Sequence, residues 1–263
     1  MSAVQVLTPR TLDEALQLRA EHPGALPIQG GTDVMVAMNF DRGRPETVLN
    51  LNEVEELRGW TRDNGSLRLG AGLTYSEIEH GPLREVLPAL AEASRTVGSP
   101  QIRNRGTIGG NLGTASPAGD ALPPLAIELA EVECTSTRGA RTLPLTDFVT
   151  GVKRTALEPD ELITAVVLMP SGAAQTFLKV GPRNAMVIAV VSLAVSAGDE
   201  LRASFGSASP RPVVVTAPRA DAGSFAERVA AAASPIDDVR GTGRYRRHAL
   251  HVMAERALKR VLA

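Results

Sequence analysis

The chain is 263 residues long, and 43% of its residues are hydrophobic while 22% are charged. This composition is typical of a soluble folded protein and excludes collagen-like, coiled-coil and mainly disordered chains. At about 150 residues per domain, the length predicts one large domain or two to three smaller ones. With 28 basic and 29 acidic residues the net charge is -1, so the overall charge favours neither nucleic acid nor an anionic membrane as a partner.

The longest apolar run, from Met186 to Val191, is far shorter than the roughly 20 residues that a membrane-spanning helix needs. The first residues also lack the basic-then-apolar pattern of a secretory signal. These two features predict a cytoplasmic protein without a membrane partner.

Cysteine and histidine are too few and too scattered to predict a metal centre. Cys134 is the only cysteine, which excludes an internal disulfide and a cysteine-ligated iron–sulfur cluster within this chain. His248 and His251 are three residues apart, a spacing that places both rings on one face of a helix. The arginines around them favour a solvated basic face, and no metal site is predicted.

The first region, residues 1–52, alternates helical and strand patterns. The predicted elements are a helix over Thr11–Ala20, a strand over Ala25–Gln29, a helix from about Thr32 and a strand over Thr47–Leu51. Thr11 is a candidate N-cap, and Glu14 stands three residues later at the capping-box position.

The second region, residues 53–170, consists of short strands separated by Gly, Asn and Asp turns, with two helical stretches between them. The predicted elements are a strand over Leu67–Ala71, a helix from Tyr75 to about Val97 broken near Gly81, a helix over Gly119–Leu129 and a buried strand over Leu162–Met169.

The third region, residues 171–263, predicts a three-stranded meander followed by two helices. The strands are expected near Gln175–Val180, Val187–Ala197 and Leu201–Ser207, and the helices over Ala217–Ala233 and Arg244–Leu262.

Two glycine-rich motifs point to a bound anion. In Ile28–Asp33, two glycines stand between a strand and a helix, where backbone N–H groups and a helix N-terminus can cradle a pyrophosphate. By itself this turn is also compatible with ordinary loop chemistry. The longer segment Gln101–Asp120 concentrates glycines and polar side chains, and its spacing matches neither a P-loop nor the Rossmann fingerprint. It predicts a dinucleotide on another fold.

These two motifs, with two later segments, resemble the flavoprotein (medium) subunits of the molybdenum hydroxylases. That family includes bacterial xanthine dehydrogenase, carbon monoxide dehydrogenase and related aldehyde and nicotinate enzymes. The matching segments are the turn Gly30–Asp33, the predicted loop Thr107–Asn111, its continuation Ala115–Asp120, Leu178–Arg183 with Ala185–Val191, and Pro235–Gly241 with Tyr245–His248. Their order along nearly the whole chain is more specific than any one of them.

The resemblance implies an α+β protein with the p-cresol methylhydroxylase-type FAD-binding fold. Two subdomains, residues 1–52 and 53–170, would hold the cofactor. Residues 171–263 would form a C-terminal α/β domain of the carbon monoxide dehydrogenase flavoprotein type, with a three-stranded antiparallel sheet.

The resemblance also assigns cofactor-binding residues. Those of the first motif, expected around the pyrophosphate, are Ile28, Gln29, Gly30, Gly31, Thr32 and Asp33; those of the second, expected near the pyrophosphate and the ribityl chain, are Thr107, Gly109, Gly110, Asn111 and Thr114. Asp120 would accept a hydrogen bond from a cofactor hydroxyl or orient its loop. Ile163 matches an apolar residue near the flavin, and Lys179 a lysine near its polar edge.

The sequence departs from the family pattern at two positions. Gln29 stands where the family commonly has Ala, and Val187 stands where relatives often have a polar or acidic residue. Arg103 and Arg105 fit either cofactor ligands or surface arginines. The segment around Asp237 to Arg240 favours helix capping and ion pairing over a binding site.

The function implied by the resemblance is electron transfer. The chain would pass electrons from 2Fe-2S clusters on a small partner subunit, through FAD, to an external acceptor. A large molybdopterin subunit would complete a heterotrimer or its dimer. Lys179 and Arg183 would lie on the polar rim where the small subunit docks, or else in a structural ion pair. The alternatives are a self-sufficient flavin oxidoreductase of the same fold and a flavin-free scaffold subunit.

Overall fold

The computed structural model describes residues 4–40 and 43–263. Within these ranges the strands form sheets of three, five and four strands and one two-stranded hairpin. Each sheet lies within one of the three regions described above, while the division into three domains stays a prediction.

The first region alternates strands and helices, as predicted. Strands β1 (Gln5–Leu7), β2 (Leu26–Ile28) and β3 (Thr47–Asn50) form a parallel sheet with β3 in the middle, and helices α1 (Leu12–Glu21) and α2 (Val34–Asn39) connect them. Parallel neighbours need crossover connections of this kind. Their core, which includes Ala15, Leu16 and Leu49, also contains Leu162 of the second region, so the two regions share apolar packing.

Thr11 starts α1 as predicted. Its hydroxyl accepts a hydrogen bond from the N–H of Glu14 at 3.2 Å, which satisfies one of the free donors of the first turn. The Glu14 carboxylate accepts its own bond from the N–H of Arg10 at 2.8 Å. The reciprocal half of the capping box is therefore displaced by one residue from the usual pattern.

The second region contains the five-stranded antiparallel sheet, in the order β4-β5-β10-β6-β7. Its strands are β4 (Trp60–Asp63), β5 (Ser66–Gly70), β6 (Glu131–Ser136), β7 (Gly139–Pro144) and β10 (Leu162–Leu168), while β8 (Val149–Gly151) and β9 (Arg154–Thr155) form the hairpin. Seven short helices surround it: α3 (Tyr75–His80), α4 (Leu83–Val86), α5 (Pro88–Arg95), α6 (Pro100–Arg103), α7 (Ile108–Thr114), α8 (Leu122–Ile127) and α9 (Leu145–Phe148). Leu67, Leu69, Val132 and Val166 of the sheet are among its fully buried core residues.

The prediction of a loop at Thr107–Asn111 is wrong, because the segment is helical. Thr107 has extended backbone and is the N-cap of α7, and its hydroxyl accepts a hydrogen bond from the N–H of Gly110 at 3.0 Å. A threonine cap overcomes the low helix propensity of the glycines that follow it. The helix ends at Ala115, which is left-handed with a φ of 44°.

The third region contains the four-stranded antiparallel sheet β11 (Ala174–Val180), β12 (Val191–Ala197), β13 (Glu200–Gly206) and β14 (Val214–Pro218) in chain order, followed by α10 (Ala222–Ala232) and α11 (Gly243–Val261). The prediction of three strands is therefore wrong. β14 pairs with β13, and Ala217, expected to begin a helix, lies opposite Leu201. The β-branched residues Val213 to Thr216 favour the extended backbone.

Two helices of the second region pack against the sheet of the third. The carboxylate of Glu92 on α5 accepts hydrogen bonds from the Thr176 hydroxyl at 2.9 Å and the Phe177 N–H at 2.5 Å. Ile127 of α8 packs in one buried cluster with Phe177 and Ala194. These contacts place the end of β11, which carries Lys179, beside the segment that follows α7.

Candidate functional site

The first glycine turn connects β2 to α2. Gly31 has a φ of +73°, a left-handed conformation that glycine adopts without steric cost. A Cβ at Gly30 would overlap the carbonyl oxygen of Arg105. Both glycines are therefore required by the protein itself, and the Gly30 backbone packs directly against the segment that leads into the second motif.

Asp33 joins the first motif to the second. It occupies the N-cap position of α2, where its side chain makes no capping hydrogen bond. Instead its carboxylate accepts a hydrogen bond from the Thr114 hydroxyl at 2.8 Å. The last turn of α7 is thus attached to the start of α2.

The second glycine pair, in the first turn of α7, has two different roles. A Cβ at Gly109 would lie 2.7 Å from the Cβ of Ala71, and the Gly109 N–H donates to the Ala71 carbonyl at 2.8 Å. Gly110 is exposed, and apart from its own helix backbone a Cβ there would meet only the Thr107 hydroxyl, at 3.1 Å, among the described residues. Packing explains Gly109, whereas Gly110 faces space that the described protein does not fill.

Two buried oxygens near these turns have no hydrogen-bond partner among the described residues. They are Oδ1 of Asn111, on α7, and Oδ1 of Asp120. The Asn111 side chain lies over Gly119, where a Cβ would come within 3.0 Å of it. An unpaired buried acceptor is costly, so hydroxyl or amide donors from a bound molecule would fit here.

Asp120 and Lys179 form a buried ion pair. The Lys179 ammonium donates to Oδ2 of Asp120 at 2.5 Å and to the Thr96 carbonyl at 3.1 Å. Their side chains are only 8% and 6% exposed, respectively. Burial raises the pKa of Asp120 to about 6 although Lys179 acts in the opposite direction, so desolvation outweighs the attraction of the lysine.

Tyr75 and Ile163 complete the surroundings. Tyr75 is 4% exposed, and its pKa is raised by burial first and then by the charges of Asp120 and Asp33. Ile163 lies beside α7, because a Cβ at Gly113 would be 3.6 Å from its Cδ1. The junction therefore combines carboxylates, backbone donors and an apolar side chain.

The structure places the predicted residues of both motifs at one junction between the first and second regions, joined through Gly30 and Asp33. Asp120, Ile163 and Lys179 lie next to the second motif. Of the two alternatives for Lys179, the polar rim and a structural ion pair, the structure shows the ion pair, with the ammonium buried. The exposed Arg183 donates to the carbonyls of Ala185 and Met186 in its own loop.

Sequence reasoning missed three contributors to this junction. Tyr75 and the Thr96 carbonyl carry no local signal that connects them to Asp120. The third is Gly72, which lies so close to the Gln29 side chain that a Cβ at Gly72 would overlap the amide nitrogen of Gln29. A lone glycine after a strand was the only available signal for that close approach.

Residues 4–40 and 43–263 contain no group of three or more His, Cys, Asp or Glu side chains placed to hold a metal ion. In the same ranges, no helix is both long and apolar enough to cross a membrane. Cys134 is buried, and burial raises the pKa of its thiol to about 11, which disfavours the reactive thiolate.

Comparisons with known proteins identify the family of the chain. Residues 2–171 match the family of FAD-binding domains in molybdopterin dehydrogenase. The putative xanthine dehydrogenase FAD-binding subunit of Escherichia coli (strain K12) is 31% identical over 96% of this chain and 94% of that protein. The carbon monoxide dehydrogenase medium chain of Afipia carboxidovorans is 29% identical over 97% of this chain and 95% of that protein.

The fold is similar to that of a solved structure as well. A chain of the reconstituted CO dehydrogenase from Oligotropha carboxidovorans superposes with a TM-score of 0.90 at 25% identity, covering 99% of this chain and 98% of that one. The family resemblance noted from the motifs is thereby confirmed, as is FAD as the cofactor. The chain belongs to the FAD-binding oxidoreductase subunits of the molybdopterin dehydrogenase family.

Proposed function

We propose that this chain is the electron-transfer flavoprotein subunit of a molybdenum hydroxylase, receiving electrons from the iron–sulfur clusters of a partner subunit and delivering them to an external acceptor. The observation that carries the proposal is the junction of two glycine turns beside the unpaired Oδ1 atoms of Asn111 and Asp120. Bound FAD supplies redox chemistry that couples one-electron carriers to a two-electron acceptor.

Different residues of the junction bind different parts of the cofactor. Backbone N–H groups of the first turn, from Ile28 to Asp33, would hold the pyrophosphate. The second motif, from Thr107 to Thr114, would lie against it, since the N–H groups of Gly109 and Gly110 are already bonded within the protein. The open side of Gly110 leaves room for a phosphate oxygen. Asn111 and Asp120 accept hydrogen bonds from cofactor hydroxyls, which satisfies their unpaired oxygens.

The remaining candidates act at the flavin end. Ile163 supplies apolar contact next to α7. Lys179 keeps Asp120 ionised at neutral pH by direct pairing and so fixes the charge beside the cofactor. We assign the two regions that bind FAD to the p-cresol methylhydroxylase-type fold. Its subdomains are residues 1–52 and 53–170, and residues 171–263 form the C-terminal domain.

The chain needs partners because it cannot bind an iron–sulfur cluster through cysteines: Cys134 is its only one. The relatives are called an FAD-binding subunit and a medium chain, which supports a small 2Fe-2S subunit and a large molybdopterin subunit in a heterotrimer or its dimer. We place this complex in the cytoplasm. These names favour a subunit over a self-sufficient oxidoreductase or a flavin-free scaffold.

The cofactor assignment is tested by acid precipitation of the purified yellow chain. We expect the flavin to enter the supernatant as FAD, because neither motif contains a cysteine or histidine for covalent attachment. Flavin retained in the pellet, or released as FMN, would contradict the assignment, and a colourless chain that binds no added FAD would favour the scaffold.

The pyrophosphate placement is tested with Gly110→Val. A branched side chain on the open face of Gly110 fills the phosphate space, so we expect FAD retention to fall below a tenth of wild type. Gly223→Val is the matched control, since a Cβ at this helical glycine meets nothing within 4 Å. Wild-type flavin content in Gly110→Val would exclude the placement.

The electron-transfer role is tested by anaerobic reduction. The chain alone should stay oxidised with xanthine, aldehydes or carbon monoxide, and its flavin should bleach when the matching iron–sulfur and molybdenum subunits are added. Reduction of the isolated chain by one of these substrates would instead establish a self-sufficient oxidoreductase.

A further inference from the structure

Arg105 connects three segments that are distant in sequence. One terminal nitrogen of its guanidinium donates to the carbonyl of Gln29 at 3.1 Å and to Oδ1 of Asn52 at 2.9 Å. Gln29 opens the first glycine turn, Asn52 ends the first region, and Arg105 stands two residues before the N-cap of α7. The side chain therefore spans the junction between the two regions that carry the motifs.

The main chain of Arg105 is also part of this contact. Its carbonyl oxygen lies against Gly30, where even a methyl group would overlap it. Its N–H donates to the Ile102 carbonyl at 3.1 Å, and the next residue, Gly106, accepts a hydrogen bond from the Tyr75 N–H at 3.1 Å. Arg105 is thus held in place by its own region while its side chain reaches into the other one.

We propose that Arg105 is a positioning residue for FAD: by binding Gln29 and Asn52 it holds the two glycine turns at the separation that the pyrophosphate requires. This inference rests on the proposed placement of FAD between the turns. The contacts of Arg105 with Gln29 and Asn52, here called the clasp, are made entirely between protein groups and need no bond to the cofactor. Preorganisation of this kind lowers the ordering cost of binding.

Arginine suits this role better than lysine. The guanidinium is planar and presents its donors in fixed directions, whereas a lysine ammonium is a mobile point charge on a flexible stem. The carbonyl of Gln29 and the amide of Asn52 are both uncharged acceptors. Directional donors therefore matter more here than the positive charge itself.

The experiment is a double-mutant cycle on the full chain, with FAD affinity measured by titration of the apoprotein and folding checked by thermal unfolding without FAD. The variants are Arg105→Ala, Asn52→Ala and the double variant, with Arg105→Lys to separate charge from geometry. Arg58→Ala is the matched control, because Arg58 donates to the backbone carbonyl of Asn52 and not to either glycine turn.

We expect the Kd for FAD to rise at least tenfold in Arg105→Ala and at least threefold in Asn52→Ala, and the double variant to match Arg105→Ala. Arg105→Lys should stay at least threefold weaker than wild type. Arg58→Ala should stay within twofold. The apoprotein melting temperatures should differ by no more than a few degrees.

Two other results would overturn the clasp. If Arg105→Ala weakens binding while Asn52→Ala does not, Arg105 acts directly on the phosphates. If Arg105→Ala leaves the affinity for FAD unchanged, Arg105 is a surface residue without a role in binding. If the Arg105→Ala apoprotein melts far below wild type, Arg105 stabilises the fold instead of positioning FAD. A wild-type chain that binds no FAD would overturn the proposed function itself, and the clasp with it.

Discussion

Two carboxylates in this chain each pair with basic side chains, but the pKa of one is lowered and the pKa of the other is raised. Asp238, before α11, accepts hydrogen bonds from the Arg240 and Arg246 guanidinium groups and from the Arg240 N–H. The Arg240 bonds, and then those of Arg246, hold its pKa well below the usual range. Asp120 has one partner, Lys179, keeps one oxygen unpaired, and has a raised pKa.

The difference separates a structural cluster from the proposed FAD site. Both oxygens of Asp238 are used, so nothing remains for a ligand; the predicted helix-capping and ion-pair cluster is confirmed there, with Asp237 accepting from the Gly243 N–H at 2.6 Å. Asp120 has deeper burial and spare hydrogen-bonding capacity. A buried oxygen without a partner supports a ligand site only where, as at Asp120, it lies beside other candidate binding groups.

The two clusters are nevertheless connected. Arg246 donates to the Ser207 carbonyl at 2.7 Å, and the Ser207 N–H donates to the carbonyl of Pro117 at 2.7 Å. Pro117 lies three residues before Asp120. The structural cluster therefore anchors the segment that carries the site residue, and variants in each cluster test how far their roles are separate.

The largest effect is expected for Lys179→Met. It leaves the Asp120 carboxylate buried without a counter-ion, which should cost about 3–5 kcal/mol of unfolding free energy at pH 8 and abolish FAD retention. Urea unfolding of the apoprotein and flavin content measure the two effects. Lys153→Met, at an exposed lysine, is the control and should change stability by about 0.5 kcal/mol or less. A stable Lys179→Met that retains FAD would mean that the pair serves neither purpose.

Arg246→Met should produce the next largest loss of unfolding free energy, but it should not weaken FAD binding. Arg246 is 1% exposed, and its removal leaves Asp238 with Arg240 alone, so we expect a loss of about 2–3 kcal/mol. The Kd for FAD should stay within twofold. Arg244→Met, on the exposed first turn of the same helix, controls for the change of residue type. Loss of FAD binding at full apoprotein stability would show that the cluster belongs to the site.

The pH dependence of stability should have opposite signs for the two carboxylates. Native Asp120 binds its proton more tightly than the unfolded chain does, so wild-type stability relative to Asp120→Asn falls as pH rises from 3.8 to about 6 and is level above that. Native Asp238 binds its proton less tightly, so stability relative to Asp238→Asn rises with pH until about 3.8 and is then level. Each slope is limited to about 1.4 kcal/mol per pH unit for one proton. Denaturation across pH measures both, and equal signs would contradict the comparison.

The smallest effect is expected for Thr114→Val, which removes the exposed link from Thr114 to Asp33 without changing side-chain shape. We expect a loss of about 0.5 kcal/mol and a rise of about threefold in the Kd for FAD, the size that a loss of about 0.65 kcal/mol of binding free energy gives. Thr114→Ser keeps the hydroxyl and should bind as wild type. Isothermal titration of both variants distinguishes the outcomes, and equal affinities would show that this link does not align the motifs.

Local patterns in the sequence determined much of the fold. The alternation of strands and helices in the first region, the Thr11 cap and the buried strand at Leu162–Leu168 follow from residue periodicity and from short-range hydrogen bonds. The two glycine motifs were also visible, because positive φ and close backbone approach leave glycine as the residue of choice. Where two local preferences competed, as between the threonine cap and the glycines of α7, the prediction was wrong.

The tertiary structure alone decided which of these residues meet. Lys179 is 59 positions from Asp120, and Arg105 is 53 positions from Asn52. No spacing rule connects such positions. The packing of α5 and α8 on the third region's sheet brings Lys179 to Asp120, whereas the close approach of Gly30 to the Arg105 carbonyl brings Arg105 to Asn52. The packing of α5 and α8 also buried Lys179 instead of leaving it exposed. Tertiary structure also added β14 to the sheet, where it pairs with β13. Periodicity reports which side of an element is buried, whereas the partner on that side is selected by packing across the whole chain.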